Sequence, residues 1–149
     1  MKKLRGQKLS AKDIRRVASA TGVALSPEIS TLLASFPLVG LTLSIADDAN
    51  ESGSDVELKW MTADEMIEEA TDAYPGIVAV QHGYLPVAMC MEGSGDPYFL
   101  RLADGAVVRI LHDFVDADEE ELDPEGIELV ARSIAKLIEM AEITGPTGN

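Results

Sequence analysis

The sequence predicts a single α+β domain in which helices cover a twisted, largely antiparallel sheet of about five to six strands. Two observations predict this class: a strand-rich segment lies in the middle of the chain, and segments with helical periodicity stand on both sides of it. A third is size, because 149 residues of which 46% are hydrophobic suffice for one domain with a substantial core.

The strand-rich segment spans residues 83–113 and is typical of a three-stranded meander. Its first two apolar runs, 85–91 and 98–102, are separated by the turn-forming stretch Glu-Gly-Ser-Gly-Asp-Pro. The second and third runs are joined through Ala-Asp-Gly at 103–105, and an Asp-Gly pair between apolar runs is a strong hairpin signal.

Two helices are predicted before the first strand. Ser10 is a capping residue with Asp13 completing the capping box, and Gly22 ends this helix. Ser26 caps a second helix with Pro27 as its first residue. The apolar positions of the second helix share one face: Ile29, Leu32, Leu33 and Phe36.

The next predicted elements alternate between strand and helix. Residues 41–45 and 56–60 alternate apolar and polar side chains, as half-buried strands do. Thr62 and Glu65 form a capping box that starts a third helix. Residues 77–80 are β-branched apart from Ala79, which predicts a further strand. The predicted buried stripe of the third helix is Met66, Ile67, Ala70, Ala73 and Tyr74.

A long last helix is predicted at the end of the chain. Asp123 and Pro124 offer a cap and a first helical residue, and Gly145 with Pro146 ends the helix. Its predicted apolar stripe is Ile127, Val130, Ala131, Ile134, Leu137, Ile138 and Ala141. The second and the last helix are expected to supply most of the apolar area buried against the sheet.

Charge is distributed unevenly along the chain. The formal net charge is -14, although seven of the twelve basic residues lie within the first sixteen positions. Beyond Arg16, five basic residues remain against twenty-five acidic ones, a net charge of -20. Such a surface repels phosphate backbones and attracts cations, so it argues against direct nucleic-acid binding and favours a basic protein partner. Residues 1–9 are expected to be a flexible basic arm, with a nucleic-acid-binding arm as the alternative, and residues 144–149 a flexible tail.

The expected location is the cytoplasm. The basic start is not followed by an unbroken apolar stretch, as a secretory signal requires. The longest apolar-leaning stretch, residues 36–46, is shorter than the roughly 20 residues of a membrane-spanning helix. Cys90 is the only cysteine, which agrees with a reducing compartment.

No cofactor, metal or catalytic site is predicted. Strand alternation separates Cys90 from Met89 and Met91, so the three sulfur atoms do not converge on a metal, and Cys90 is expected in the core. His112 and Asp113 are expected to point to opposite faces of a strand, and no nucleophile accompanies them. The glycine-rich turn at 93–95 lacks the lysine and the following helix of a phosphate-binding loop.

Two acidic segments are the candidate partner-binding residues. Both segments, residues 47–55 and the charge run after His112, are predicted to be loops, and the calcium-loop spacing is absent from the second. The candidate residues are Asp47, Asp48, Glu51, Asp55, Asp116, Asp118, Glu119, Glu120 and Glu121. The alternative interpretation is a solvated loop that only keeps the protein soluble.

The order of residues in the meander resembles the SUKH superfamily, which includes fungal cell-wall synthesis regulators and bacterial toxin-immunity proteins. The motifs that carry the resemblance are Gly83-x-x-Pro86-Val87-Ala88, Gly95-Asp96-x-Tyr98-x-Leu100, Gly105-x-Val107-Val108 and His112-Asp113, with Trp60 upstream. The chain departs from the family at 36–40, where Phe-Pro-Leu-Val-Gly replaces a frequent Asn-Gly pair, and in the last helix, which lacks aromatic residues.

The resemblance implies a non-enzymatic protein-binding domain that blocks a cognate toxin, often a basic nuclease. The motif residues are then structural: Trp60, Gly83, Pro86, Gly95, Asp96, Tyr98, Gly105, His112 and Asp113. An adaptor with an endogenous partner is the alternative from the same fold, and an enzyme that uses His112 is the alternative from another class.

Overall fold

The computed structural model describes residues 4–145. It contains α-helices α1 (Ala11–Thr21), α2 (Pro27–Ser35), α3 (Ala63–Asp72), α4 (Gly76–Ala79) and α5 (Ile134–Met140). The strands are β1 (Thr42–Ile45), β2 (Val56–Trp60), β3 (Tyr84–Cys90), β4 (Tyr98–Arg101), β5 (Val107–Ile110), β6 (Val115–Asp116), β7 (Glu121–Leu122), β8 (Ile127–Ala131) and β9 (Glu142–Thr144). Short 3-10 turns span Val80–His82, His112–Phe114 and Pro124–Gly126.

The predicted α+β class is confirmed. A single 7-stranded sheet has the order β8-β5-β4-β3-β2-β1-β9, and all its strand pairs are antiparallel. Strands β6 and β7 form a separate two-stranded hairpin. The sheet is wider than predicted because β8 and β9 extend its two edges, and neither was predicted as a strand.

Side-chain caps fix the helix starts as the sequence predicts. Ser10 and Asp13 form a reciprocal capping box at α1, and Thr62 and Glu65 form another at α3. Ser26 accepts a hydrogen bond from the backbone N–H of Ile29 at the start of α2. Each cap satisfies backbone donors that have no partner within the first helical turn.

Two apolar clusters form the interior. The larger one joins all the strands from β1 to β5 with residues of α1, α2, α3 and α5, and the inward residues of the helices include Ile14, Val17, Ile29, Leu33, Met66, Ile134 and Leu137. The smaller one consists of Ala79, Phe99, Val108 and Ile110, with Tyr84, Val115, Leu122, Ile127 and Leu129 packed against them. Phe99 pairs with Val108, and alternation along β4 places them on the face opposite to Tyr98 and Leu100.

The prediction of a strand at 77–80 is wrong. This segment forms α4 and a 3-10 turn, with Ala79 fully buried in the smaller cluster. The Gly76 N–H donates to the side-chain oxygen of Glu69 at 3.1 Å, which caps the new helical turn from outside it. Tyr74, predicted to lie in the stripe of α3, is 54% exposed because α3 ends at Asp72.

The prediction of a long last helix is wrong in its first half. Asp123 does cap a turn, but that turn is 3-10, and residues 127–131 then form strand β8 beside β5. The α-helix begins after Ser133, whose hydroxyl accepts from the backbone N–H of Lys136.

Parts of both termini predicted to be flexible contact the body of the protein. Gln7 exchanges backbone hydrogen bonds with Val39, and Leu9 is buried at 5% exposure, so residues 4–9 are tied to the body. Thr144 pairs with Thr42 through β9, whereas residues 1–3 and 146–149 lie outside the described residues, including Pro146 of the predicted helix stop.

No helix within the described range 4–145 is long and apolar enough to cross a membrane.

Candidate functional site

The acidic run after His112 folds into a hairpin, which corrects the prediction of a loop. Val115 pairs with Leu122 and Asp116 with Glu121, and residues 117–120 form the turn. Glu120 adopts a positive φ of 54° in that turn. We call residues 113–123 the acidic hairpin.

The acidic hairpin is anchored on the smaller apolar cluster. Val115 and Leu122 pack against that cluster from the hairpin side. The His82 ring donates through Nε2 to the carbonyl oxygen of Glu120 at 2.9 Å, which ties the turn to the body. Because an apolar base and a hydrogen-bonded tip hold it, the hairpin presents its charges from a fixed position.

The carboxylates of the acidic hairpin face solvent. The seven acidic side chains all belong to exposed residues: Asp113, Asp116, Asp118, Glu119, Glu120, Glu121 and Asp123. In the described part of the chain, none of them pairs with a lysine or arginine, and Asp113 alone contacts a basic side chain, that of His112. Two serve the local fold, because Asp116 accepts from the backbone N–H groups of 118 and 119, and Asp123 from that of 125.

A cleft of about 640 Å³ opens along the hairpin. Phe114 lies at this cleft and is 38% exposed. Other lining residues are Asp113, Val115, Asp116, Ala117, Asp118, Glu121, Leu122, Asp123 and Pro124. The lining combines carboxylates with one exposed aromatic ring.

The other acidic segment, residues 47–55, is a loop as predicted, but its side chains order it. Asn50 donates through Nδ2 to the carbonyl oxygens of Ala46 and Ser54 at 3.0 and 2.9 Å. Its Oδ1 accepts from the backbone N–H of Ser52 at 2.8 Å. One asparagine thus closes the loop on itself.

Strand β8 lies between the two acidic segments. The Glu51 N–H donates to the Val130 carbonyl at 3.1 Å near one end of β8, and the Leu111 N–H donates to the Gly126 carbonyl at 2.8 Å at the other. A Cβ on Gly126 would meet Cβ of Phe114 at 2.2 Å, so the hairpin base lies directly against this end. The two carbonyls are four positions apart along the chain, a span of roughly 13 Å.

A buried ionic network that the sequence did not predict lies on the core face of β5. Arg109 is 4% exposed and donates to Glu92 Oε1 at 2.9 Å, to Glu128 Oε1 at 3.0 Å and to the Asp55 carbonyl at 3.2 Å. The Tyr98 hydroxyl donates to Glu92 Oε1. Arg109 therefore joins the 47–55 loop and β8 to the β3–β4 connection.

The network also determines the protonation of its members. Burial alone would lower the pKa of Arg109, but the Glu92 and Glu128 carboxylates raise it. Burial and the Glu92 carboxylate raise the pKa of Tyr98. Burial alone would raise the pKa of Glu92, but hydrogen bonds from Cys90, Tyr98 and Arg109 lower it. At neutral pH the network thus contains the Arg109 cation, the ionised Glu92 carboxylate and the neutral Tyr98 phenol.

Cys90 belongs to this network rather than to the apolar core, which corrects its predicted position. Its thiol donates to Glu92 Oε2 at 2.5 Å and its sulfur accepts from the Gly95 N–H at 3.2 Å. The side chain is partly exposed. Met89 packs against the larger cluster and Met91 is 42% exposed, so only one of the two methionines is near the core.

His112 is held between two carboxylates, contrary to the expectation from strand alternation. The predicted strand ends at Ile110, and His112 starts a 3-10 turn. Its Nδ1 contacts Asp96 Oδ1, and its Nε2 lies 3.3 Å from Asp113 Oδ1. Asp96 is buried at 6% exposure and also accepts the His112 backbone N–H at 2.9 Å. With both ring nitrogens facing carboxylates, neither is directed at a nucleophile.

The remaining motif residues have positions in the backbone and core. Trp60 is 3% exposed and Tyr98 is fully buried. Three glycines adopt left-handed φ angles of 87°, 79° and 80° in turns, where a side chain would be strained: Gly83, Gly95 and Gly105. Pro86 faces Phe99 across β3 and β4, beside an irregularity in the register.

One sequence signal could have revealed the buried network. Arg109 lies between Val108 and Ile110 in a predicted strand, and alternation places it on the same face as Val107. A charged residue on the core face of a central strand requires a buried partner. The partners Glu92 and Glu128 lie 17 and 19 positions away, so the sequence gives no direct sign of them.

Among residues 4–145, no group of three or more histidine, cysteine or acidic side chains is arranged to hold a metal ion.

Comparison of the chain with models of known protein families gives no match, and neither does comparison with curated proteins.

Proposed function

We propose that the protein is a non-enzymatic binding protein of the SUKH type, an immunity protein that occupies and blocks a basic toxin domain in the cytoplasm. The meander motifs support the family, and the acidic surface supports the sign of the partner's charge. The acidic hairpin is the single observation that carries the proposal.

The hairpin combines exposure, like charge and a fixed backbone. Four consecutive acidic residues, 118–121, occupy its turn and the start of β7. Repulsion between them opposes folding, and the apolar base of Val115 and Leu122 offsets it. A solvated loop with no other role does not need this support.

The backbone conformation of Glu120 also supports the proposal. Its φ of 54° lies in the left-handed region, which glycine or asparagine adopts at lower cost. A glutamate at such a position adds charge to the turn at the expense of backbone strain, which is common where a residue serves binding.

The mechanism that follows is charge matching with steric occlusion. The hairpin and the 47–55 loop flank β8, so a cationic partner that meets both also covers the strand between them. Complementary charge accelerates the encounter, and the covered area blocks the partner's own site. Because exposed charges are screened beyond about 8 Å at physiological ionic strength, association should depend on salt.

A charge-reversed variant tests the proposal. Asp118, Glu119, Glu120 and Glu121 are changed to lysine, while Asp116 and Asp123 are kept because their side chains organise the backbone. The partner is the basic protein that a pull-down recovers or the C-terminal toxin domain encoded by the adjoining gene. Association rate is measured against ionic strength by surface plasmon resonance, with the fold checked by circular dichroism.

The reversed variant should associate more slowly than wild type at low salt, with a smaller change in dissociation rate. The matched control keeps the charge but changes side-chain length at the same four positions, with aspartate replaced by glutamate and the reverse. Equal association of the folded reversed variant and wild type would rule out docking through the hairpin. A steady turnover lost in His112→Ala would instead support an enzyme, and a partner encoded elsewhere would support an adaptor.

A further inference from the structure

Phe114 is an exposed aromatic residue among the carboxylates of the acidic hairpin. It is 38% exposed and lines the cleft of about 640 Å³. Neither of the two apolar clusters formed by the described residues includes it, although its neighbour Val115 packs against the smaller one. A single exposed apolar side chain is ordinary on a protein surface, so the ring matters only for what surrounds it.

Backbone contacts on both sides of the hairpin fix the position of Phe114. Its N–H donates to the Leu111 carbonyl at 3.1 Å, and its carbonyl accepts the Asp123 N–H at 3.1 Å. Gly126 leaves the space for the side chain, because a Cβ there would come within 2.2 Å of Cβ and 2.8 Å of Cγ of Phe114. The ring is thus placed at the cleft before a partner arrives, which lowers the entropic cost of binding through it.

Two carboxylates of the same cleft face each other across the hairpin. Asp116 pairs with Glu121 in the ladder of β6 and β7. Because Val115 and Leu122 pack against the smaller cluster, strand alternation turns Asp116 and Glu121 to the opposite face, and both line the cleft. Like charges directly opposite each other destabilise a ladder. Neither carboxylate pairs with a lysine or arginine of residues 4–145, so a cation from a partner would relieve the repulsion.

An aromatic ring and a carboxylate pair in one cleft fit a guanidinium group. A guanidinium stacks on an aromatic face and offers a planar fork of N–H donors to carboxylate oxygens. A lysine ammonium is a compact, strongly hydrated charge without that fork. A calcium or magnesium ion binds through oxygen ligands and gains nothing from the ring. The chemistry of the cleft therefore favours arginine over these other cations.

Given the proposed docking function, on which this inference rests, we propose that Phe114, Asp116 and Glu121 form a receptor for an arginine side chain of the basic partner. The exposed carboxylates of 118–121 accelerate the encounter, whereas the receptor holds the bound arginine and slows dissociation. Arginine is among the residues that most often carry the binding energy of a protein interface.

Binding of a single arginine can be measured without the partner. The probe is the tripeptide acetyl-Gly-Arg-Gly-amide, titrated into the isotope-labelled full chain at low salt and followed by NMR spectroscopy, with acetyl-Gly-Lys-Gly-amide as the comparison. The δ-methylene protons of the arginine should shift upfield, because a stacked aromatic ring shields them. The lysine peptide should bind more weakly and show no comparable upfield shift.

Three variants separate the receptor from general attraction to negative charge. Phe114→Leu keeps an apolar side chain against Gly126 but removes the aromatic face, so it should abolish the upfield shift and weaken binding of the arginine peptide by about two- to fivefold. Glu121→Gln should weaken this binding by about twofold. Glu125→Gln removes an exposed carboxylate that is not part of the cleft lining, and it should bind the peptide as wild type does.

The amide spectrum of each variant shows whether it is folded. Equal binding of the arginine and lysine peptides would overturn the receptor. Equal losses in Glu121→Gln and Glu125→Gln, or an upfield shift that persists in Phe114→Leu, would also overturn it.

Failure of the receptor and failure of the docking function give different results. With the basic partner, Phe114→Leu should dissociate about two- to fivefold faster and associate at the wild-type rate. If charge reversal at 118–121 slows association while Phe114→Leu behaves as wild type toward peptide and partner, the receptor is wrong and docking through the hairpin stands. If the arginine peptide binds as expected but charge reversal leaves association of the partner unchanged, the docking function fails and the receptor stands.

Discussion

Arg109 and Glu92 form an ion pair inside the protein, with Nη1 of the guanidinium 2.9 Å from Oε1 of the carboxylate. Their side chains are 5% and 14% exposed. Glu92 follows β3, and Arg109 lies in β5, so the pair spans β4 and its buried Tyr98. The guanidinium carbon lies 5.7 Å from the centre of the Tyr98 ring, which adds a cation–π contact.

Arg109→Met should destabilise the protein by about 3 kcal/mol, because it leaves Glu92 buried without its cation. The measurement is the free energy of unfolding in urea. Arg132→Met is the matched control, since that side chain is 77% exposed and lies 4.0 Å from Glu51. The double variant Arg109→Met, Glu92→Gln should recover part of the loss. If Arg109→Met and Arg132→Met were equally stable, the buried ion pair would contribute nothing to stability.

Glu69→Gln should stabilise the protein at pH 8 and not at pH 4. Burial raises the pKa of Glu69 to about 7, so ionising this carboxyl in the folded state opposes folding above that pH. The penalty is absent below the unfolded pKa near 4.5, grows as pH rises to about 7, and is complete above it. We expect a gain of about 1 kcal/mol at pH 8, reduced from the full value because the side chain is only partly buried.

The measurement is thermal unfolding of wild type and Glu69→Gln between pH 4 and 8. Glu68→Gln removes an exposed carboxylate on the same helix whose charge is the smallest contribution to the raised pKa of Glu69, so it should give a smaller gain. A stability difference that is the same at every pH would show that the amide repacks the site rather than removing a charge.

Asn50→Ala should open the 47–55 loop without unfolding the sheet. The variant loses the bonds to Ala46, Ser52 and Ser54, and each hydrogen bond contributes about 1 kcal/mol. Amide exchange should accelerate at Ser52 and Ser54 and remain slow across β5. Asp48→Ala, an exposed neighbour in the same loop, is the control, and equal exchange in both variants would contradict the role of Asn50.

The elements that the sequence predicts well are those that local chemistry determines. Helix caps and tight turns act within four residues, so they are visible in a short window of sequence. Examples are the caps at Ser10, Ser26 and Thr62 and the Asp104-Gly105 turn. The meander is equally local, because consecutive antiparallel strands need only short turns.

The elements that the sequence mispredicts depend on distant neighbours. Residues 127–131 fit a helical stripe, but β5 leaves an open edge whose backbone groups β8 satisfies. The apolar spacing at 77–80 fits a strand, but Glu69 accepts the Gly76 N–H and favours a helical turn. Strand β5 ends 17 positions before β8 begins, and Glu69 lies seven positions before Gly76, so both lie outside the four-residue windows that reveal the caps.

The candidate site was likewise predictable only where local sequence determines it. Its acidic residues are evident from composition, but their fold is not, because the charge run conceals Val115 and Leu122. These two residues lie seven positions apart and meet only when the chain reverses at 117–120. The contact of His112 with Asp96 likewise joins residues 16 positions apart.

The separate apolar base of the acidic hairpin has a consequence for how the protein can vary. Val115 and Leu122 hold the hairpin, whereas the side chains of residues 118–121 project outward and make no described contact that the fold requires. Under the proposed docking function, substitutions at those four positions would therefore alter the choice of partner with little change in folding stability. A lineage could acquire a new specificity there in single steps, each of them a viable protein, while the seven-stranded sheet remains unchanged.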